Sequence, residues 1–187
     1  MAVSAMGIVW SIMIIFFMVI QGLNAGVQPI IGYNYGAKKY DRVRKTYKWA
    51  IISATLFMIV SFLLLQIFPG ACISLFRNEE GPLMSMGIYC LRISTLLFPV
   101  IGFQMVTANY FQAVGKPLEG TILSLSRQFL LYIPILLLLP RIFGLDGVLF
   151  AMPLADVGAV IISAGFILVE LKRLNRLILD EKNIKRN

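Results

Sequence analysis

The sequence predicts an all-α protein, a polytopic transmembrane helix bundle with five spans. Of its 187 residues, 59% are hydrophobic and 14% are charged, whereas about 25% of the residues in a soluble domain are charged. A water-soluble chain of this length could not hide so much apolar surface in one core, so lipid must surround much of it. The apolar runs are continuous rather than alternating, which requires helices and excludes a transmembrane barrel.

Five runs are long enough to cross a bilayer core about 30 Å thick, which needs roughly 20 apolar helical residues. The predicted spans cover about residues 5–31, 49–68, 83–114, 120–139 and 145–171. Together they form one transmembrane bundle over residues 1–171, followed by a polar, partly helical tail over residues 172–187. The first run is too long for a signal peptide and has no basic residue before it, so it is interpreted as a true span.

The distribution of cations predicts the orientation, because cytoplasmic connections carry an excess of Lys and Arg. The connection over residues 32–48 holds six such residues against one acid, and the tail holds six more. The connections near Arg77 and Arg141 are poorer in net positive charge. We therefore expect the connection 32–48, the short turn at Lys116 and the tail to lie in the cytoplasm, with the chain in the plasma membrane against anionic lipid.

The composition argues against an enzyme and against a nucleic-acid-binding protein. The sequence contains no histidine, which excludes Ser-His-Asp triads and histidine-bound zinc. Cys72 and Cys90 lack metal-ligand spacing, and no glycine-rich phosphate-binding motif is present. The net charge of +8 sits where apolar runs end rather than on a polar face, which argues against a nucleic-acid partner. We expect no enzyme activity, no metal and no cofactor, and we expect the lipid bilayer as a partner.

Amide side chains occur inside the predicted spans, where polar groups are costly and mark functional sites. The first span has three of them on one helical face at i, i+3 and i+7, and the third has a polar stripe at i, i+4 and i+8. Such stripes suit a water-facing cavity wall or hydrogen bonds between helices, and both interpretations stay open. The candidate substrate or cavity residues are Gln21, Asn24, Gln28, Gln104, Asn109, Gln112 and Gln128.

Three charged side chains, Arg92, Arg127 and Asp156, lie deep enough in the spans to need partners. At about 1.5 Å per residue, Arg92 lies about 13 Å and Asp156 about 16 Å from the outer ends of their spans. Arg127 lies roughly 10 Å from the cytoplasmic end, where a long side chain can reach the interface. Matched depth predicts an Arg92–Asp156 ion pair and a partly snorkelled Arg127.

Prolines and small residues predict helix breaks and close helix packing. A proline removes a backbone hydrogen bond, and small residues four positions apart let two helices approach. The predicted break and packing residues are Gly22, Gly26, Pro29, Gly32, Gly36, Pro99, Pro134 and Pro153. A small-residue stripe in the fifth span, predicted to pack closely, comprises Ala151, Ala155, Ala159 and Ser163. Broken helices around a site near the membrane midplane are typical of transporters.

Three stretches resemble the MATE (multidrug and toxic compound extrusion) family. Residues 22–45, GLNAGVQPIIGYNYGAKKYDRVRK, look like the end of the eighth helix of these transporters. Residues 92–117, RISTLLFPVIGFQMVTANYFQAVGKP, look like the tenth helix. Residues 123–157, LSLSRQFLLYIPILLLLPRIFGLDGVLFAMPLADV, resemble the eleventh-to-twelfth helix region. The resemblance covers nearly the whole chain and preserves order and spacing.

The resemblance implies a protein of two six-helix lobes that exports organic cations and drugs in exchange for H⁺ or Na⁺. This chain would supply the last five helices, most of the carboxy-terminal lobe, and the missing amino-terminal lobe would be its partner. Asp156 is then the local candidate for an ion-coupling acid.

Two alternatives stay open. One is a flippase of lipid-linked oligosaccharides from the same superfamily, which would have longer polar and cationic cavity faces. The other is a membrane scaffold that does not transport. Amide and aromatic walls with few cations would favour cationic drugs, because an aromatic face attracts a desolvated cation. The aromatic residues near the third-span amides are Phe98, Phe103, Tyr110 and Phe111.

Overall fold

The computed structural model describes residues 2–75 and 82–184, so the predicted connection at Arg77 and the last three tail residues lie outside the described part. Within those two ranges the chain is a helical bundle, which confirms the predicted fold class. Its helices are α1 Ala2–Gly36, α2 Tyr40–Ile67, α3 Pro69–Ser74, α4 Pro82–Ser94, α5 Phe98–Ala113, α6 Pro117–Leu125, a π-helical segment Ser126–Tyr132, α7 Ile133–Leu138 and α8 Pro140–Ile184.

Four stretches are long and apolar enough to cross a membrane on their own: Met6–Gly36, Tyr40–Ile67, Pro117–Gly144 and Asp146–Leu179. A fifth span is completed if α4 and α5 count together, because Met84–Ser94 and Phe98–Ala113 meet at a 51° bend. The described residues therefore form four membrane-spanning helices, or five with the bent pair. The five spans predicted from the sequence fall within this count of four or five.

The first connection is shorter than the sequence predicts. Helix α1 continues past residue 31 to Gly36, and α2 already begins at Tyr40, so most of the predicted connection 32–48 is helical. Lys38 turns the chain in the left-handed region with a φ of 57°, which is uncommon for a residue other than glycine. Hydropathy marks only the lipid-embedded part of a helix, which is why it assigns the cationic first turns of α2 to the connection.

Two of the four predicted helix-breaking prolines coincide with irregular backbone. Pro99 lies in the first turn of α5, directly after the bend in the third span. Pro134 opens α7 immediately after the π-helical segment. Pro29 and Pro153 instead lie inside the assigned helices α1 and α8. A further break occurs at Gly144, where a φ of 59° and a ψ of −132° separate the fourth span from the fifth.

Helix α5 runs through the middle of the bundle, with α1, α2, α6 and α8 packed around it. Contact with α2 is close at Gly102, where an added Cβ would lie 3.1 Å from the Ala54 carbonyl oxygen. The predicted small-residue stripe of the fifth span is buried throughout, which confirms its packing role: Ala151, Ala155, Ala159 and Ser163.

The glycine pairs of α1 only partly meet their prediction. An added Cβ at Gly32 would lie 3.2 Å from the Ala113 carbonyl oxygen, so this glycine does let α1 approach the end of α5. Gly22, Gly26 and Gly36 have no neighbouring atom within 4 Å of an added Cβ, so they bring no other described helix close, and the packing predicted for them stays a prediction. Residue spacing identified the small positions, but it did not tell which face of α1 meets another helix.

The connections fall at two ends of the bundle. Gly32 lies beside Ala113, and Lys116 at the α5–α6 turn forms an ion pair with Glu170 in the carboxyl-terminal half of α8, so these parts share one end with the 37–39 turn. At the opposite end, the Tyr89 hydroxyl donates to Asp146 over 3.2 Å. The cation-rich turns and the lysine- and arginine-rich end of α8 therefore lie together.

Candidate functional site

A polar cavity of about 330 Å³ opens between α1, α5, α6 and the π-helical segment. It is lined by every amide that the sequence predicts for a cavity: Gln21, Asn24, Gln28, Gln104, Asn109, Gln112 and Gln128. We call it the amide cavity. The remaining lining residues are Ala25, Met105, Ala108, Ser124 and Arg127. The amide stripes of α1 and α5 thus face one space.

Close packing of α6 on α5 forms one wall of the amide cavity. An added Cβ at Gly120 would lie 2.9 Å from the Ala108 carbonyl oxygen and 2.7 Å from Gln112 Cγ. Only glycine allows that approach, and it brings Ser124 and Arg127, one and two turns further on, to the same space as Gln112. The glycine was not singled out from the sequence, because its role depends on its neighbour in α5.

Two buried amide oxygens of the amide cavity lack hydrogen-bond partners. Asn24 is 4% exposed, and its Nδ2 donates to the Met105 carbonyl oxygen over 3.5 Å, while its Oδ1 meets no donor. Asn109 Oδ1 on α5 is also buried without a donor. Both residues line the amide cavity, so this part of its wall holds buried polar atoms that the described helices leave without partners.

The buried acid Asp156 pairs with Arg127 rather than with Arg92, so the predicted Arg92–Asp156 pair is wrong. Arg127 Nε donates to Asp156 Oδ1 over 2.6 Å, and its guanidinium lies 6.0 Å from the centre of the Phe17 ring. Arg92 is exposed, and its Nη2 lies 3.5 Å from the Gln66 carbonyl oxygen near the opposite end of the bundle. Counting residues along a helix gives depth but not direction around the helix axis.

Arg127 also separates the amide cavity from a second, smaller one of about 210 Å³. Arg127 and Gln128 line both spaces, and the second cavity adds Trp10, Phe17 and Tyr132 beside Asp156. The aromatic residues expected near the amides are absent from the described lining of the amide cavity: Phe98, Phe103, Tyr110 and Phe111. Three of these are buried in the core, and Phe103 packs against it.

A second buried ion pair joins Lys116 to Glu170 at the cation-rich end of the bundle. Lys116 Nζ also lies 6.0 Å from the centre of the Phe111 ring. Lys116 was expected in a cytoplasmic turn, and Glu170 was not predicted as a site residue. The available signal was the position of Glu170 inside the apolar run of the fifth span.

The charges in the amide cavity nearly cancel. Arg127 is the one ionised side chain among the described residues that line it, and Asp156 neutralises that charge from behind. The lining otherwise offers amide donors and acceptors, one hydroxyl and small apolar groups. This arrangement can bind a polar ligand through hydrogen bonds.

Comparison with known proteins matches these helices to a transporter family. The MatE family model matches residues 1–138. Multidrug export protein MepA of Staphylococcus haemolyticus is 26% identical over 183 residues, which are 98% of this chain and 39% of that protein. MepA of Staphylococcus aureus strain N315 is 25% identical over 183 residues, again 98% of this chain and 39% of that protein. The chain therefore spans about two fifths of the length of these curated relatives.

Solved structures show the same architecture. The MATE multidrug transporter DinF-BH, solved with a bound ligand, is 40% identical with a TM-score of 0.81, over 87% of this chain and 36% of that one. An outward-facing MATE family transporter of the MOP superfamily is 21% identical with a TM-score of 0.82, over 94% of this chain and 39% of that one. An inward-facing MATE family transporter is 20% identical with a TM-score of 0.78, over 90% of this chain and 39% of that one.

Proposed function

The chain belongs to the MatE family, and on that premise we propose that it is part of a secondary active multidrug exporter. It would move organic cations out of the cell in exchange for H⁺ or Na⁺. The observation that carries this proposal is the convergence of seven amide side chains from three separate stretches of chain on one cavity. An amino-terminal lobe of the kind that the relatives' greater length implies would supply the facing wall.

We also propose that the end of the bundle with the 37–39 turn lies in the cytoplasm, with the chain in the plasma membrane. The six cations of residues 38–48, Lys116 and the basic residues directly after Glu170, Lys172, Arg173 and Arg176, are grouped at that end. Positive charge of this kind favours the cytoplasmic side of a membrane. An external-labelling experiment with a cysteine at Ala37, in a chain that also carries Cys72→Ala and Cys90→Ala, would test the orientation, and labelling of intact cells would contradict it.

The composition of the amide cavity supports a drug exporter over the two alternatives. A lipid-linked oligosaccharide flippase would need long cationic faces, whereas the one cation in the described lining is paired with Asp156. A scaffold without transport would have no use for a cavity lined by seven amide side chains. Within the proposed exporter, Asp156 is the local candidate for the coupling acid, because protonating it would break its pair with a cavity-lining arginine.

Filling the amide cavity tests the proposal directly. Ala25 is exposed and lines the cavity, so Ala25→Trp should occupy the space without disturbing the core. We expect the purified chain in detergent to bind the cationic dye rhodamine 123, and Ala25→Trp to weaken binding at least tenfold, or about 1.4 kcal/mol. Ala71→Trp, an exposed alanine in α3, is the matched control. Binding by Ala25→Trp at wild-type affinity would contradict the proposal.

Transport itself should need more than these helices. Alternating access moves one bundle against another, and this chain spans 39% of its first relative. We expect the 187-residue chain, expressed alone in a strain that lacks other pumps, to insert in the membrane without conferring drug resistance. Clear ethidium efflux from such cells would show that this expectation is wrong.

A further inference from the structure

We propose that a groove on the outside of α8 binds a membrane phospholipid whose headgroup carries both a phosphate and a primary ammonium, such as phosphatidylethanolamine. The groove has a volume of about 620 Å³ and lies between α8, the end of α5 and the start of α6. We call it the α8 groove. The inference goes beyond the proposed function, because it assigns a lipid site outside the amide cavity.

The walls of the α8 groove suit an acyl chain. They are apolar and are formed by Phe111 of α5 and by Ile161, Ile162, Phe166 and Val169 of α8. Ile161 and Val169 are 66% and 71% exposed, so the groove opens towards the outside of the bundle. At about 1.5 Å per residue the wall from Ile161 to Val169 is about 12 Å long, and one leaflet of the hydrocarbon core is about 15 Å thick. A chain lying in the groove would therefore cover most of the depth of one leaflet.

The α8 groove opens in a different direction from the amide cavity. Phe111 lines the groove and Gln112 lines the cavity, and consecutive residues of a helix lie about 100° apart around its axis. The proposed amino-terminal lobe would face the amide cavity, so it would leave the groove to lipid. Gly165 is exposed inside the groove and has no neighbouring atom within 4 Å of an added Cβ, so the described helices leave this space free.

The charged residues of the α8 groove favour a cationic group in the ligand. Two acids and one base line it: Glu119, Glu170 and Lys116. Glu170 is 4% exposed and is neutralised by Lys116. Glu119 is only half-buried, and within residues 2–75 and 82–184 it has no ion-pair partner. An ionised carboxylate only accepts hydrogen bonds, so Glu119 offers a place for a cation that carries N–H donors.

Lys116 completes the match to a headgroup with charges of both signs. A lysine ammonium has three N–H donors, and Lys116 directs one of them to Glu170. The remaining donors can bind a phosphate oxygen. Lys116 precedes the first turn of α6 and Glu119 lies within it, so a phosphate and an ammonium of one headgroup can reach both. A phosphate headgroup without an amine would place negative charge beside Glu119, and a trimethylated amine could not donate to it.

A competition among three lipids with identical acyl chains tests the inference. The purified chain is placed in micelles that contain equal mole fractions of dioleoyl phosphatidylethanolamine, phosphatidylcholine and phosphatidylglycerol. Native mass spectrometry then measures which lipid stays bound. We expect phosphatidylethanolamine to be retained about tenfold over each of the others, the size of one hydrogen bond to a charged group. Lipids that coat the bundle without a site would be retained in proportion to their supply.

Two variants act on different parts of the α8 groove. Glu119→Gln keeps the shape of the side chain and removes its charge, so the three lipids should be retained nearly equally. Asp146→Asn, which changes an exposed acid at the opposite end of the bundle, is its control and should keep the preference. Gly165→Leu should fill the groove and abolish the selective retention. Gly22→Leu is its control, since Gly22 also has no atom within 4 Å of an added Cβ and lies outside the groove lining.

The outcomes decide between a phospholipid and other occupants. Equal retention of phosphatidylethanolamine and either other lipid, or a preference that Glu119→Gln leaves unchanged, would overturn the inference. Displacement of phosphatidylethanolamine by an equal mole fraction of dodecylamine would also overturn it, because a simple amphipathic cation without a phosphate would then be sufficient. A preference that is lost in Glu119→Gln and Gly165→Leu and persists in both controls would support it. Dye binding at the amide cavity is measured separately, so the proposed function does not depend on this result.

Discussion

The two buried ion pairs of the described structure have similar burial and different surroundings. In Lys116–Glu170 the side chains are 19% and 5% exposed, and in Arg127–Asp156 they are 23% and 4% exposed. Both pairs join the stretch after α5 to α8. Lys116 sits in a turn at the end of the bundle, where it and Glu170 line the mainly apolar α8 groove of about 620 Å³. Arg127 sits in the π-helical segment, between two smaller cavities that are lined by amides or by aromatic rings.

The comparison shows that burial alone does not reveal the role of a charge. A lysine at the end of a span can extend its flexible stem to the interface if it loses its partner. Arg127 lies inside a span rather than in a turn, so we expect its charge to depend more strongly on its carboxylate partner. We interpret Lys116–Glu170 as a clamp between the α5–α6 turn and α8, and Arg127–Asp156 as part of the site.

Removing the acid of the central pair should have the largest effect. Asp156→Ala leaves Arg127 unpaired, and we expect the free energy of unfolding in detergent to fall by about 3–5 kcal/mol. The double change Arg127→Met with Asp156→Leu removes both charges and should recover most of that stability. A double variant as unstable as the sum of its single changes would contradict the pairing.

Removing the acid of the end pair should cost less. Glu170→Ala frees Lys116, whose flexible stem can extend from the α5–α6 turn to the interface, so we expect a loss of about 1–2 kcal/mol in the same unfolding measurement. If Glu170→Ala lowers the free energy of unfolding as much as Asp156→Ala does, the proposed difference between the two pairs is wrong.

Glycines near the two acids on α8 should respond differently to an added methyl group. A Cβ at Gly158 would lie 2.9 Å from Leu131 Cδ1 in the π-helical segment, so Gly158→Ala should cost about 1 kcal/mol of stability and disturb the Arg127 pair. Gly165 has no neighbouring atom within 4 Å of an added Cβ, and Gly165→Ala should be neutral or slightly stabilising. Equal melting temperatures for both variants would show that the π-helical segment tolerates repacking.

The smallest effect should be that of Arg92 on Asp156. The two are not paired, so the stability changes of Arg92→Ala and Asp156→Ala should add within about 0.5 kcal/mol in a double-mutant cycle. A coupling energy well above that value would restore the pair predicted from matched depth.

Helical periodicity predicted the polar faces of α1 and α5 that line the amide cavity, and left open whether they line a cavity or bond to each other. The i, i+3, i+7 spacing of Gln21, Asn24 and Gln28 defines one face of α1, and the stripe through Gln104 and Gln112 defines one face of α5. Polar faces inside lipid must meet each other or water, so the two converge. Apolar members of the wall, such as Met105, carry no comparable signal.

The ion-pair partners, the helix contacts of the glycines and the form of the helix breaks depend on tertiary geometry, which periodicity does not contain. The partner of Asp156 depends on the direction in which α8 and the π-helical segment face each other, and residue counting along each helix contains no such information. Gly22 and Gly32 look alike in the sequence, yet only Gly32 meets another backbone. The bend before Pro99 was anticipated as a break, whereas the wide turn before Pro134 takes a π-helical form that no spacing indicated.

That wide turn lets one helix dock on two neighbours that a regular helix would miss. A π turn holds one residue more than an α turn, which shifts the residues on its two sides out of phase by about 100°. Gly120 before the shift fits against α5, and Leu131 within it meets Gly158 of α8. Deleting Leu130, the residue between Phe129 and Leu131, would restore the regular α-helical winding. Arg127 and Leu131 could then no longer both face α8.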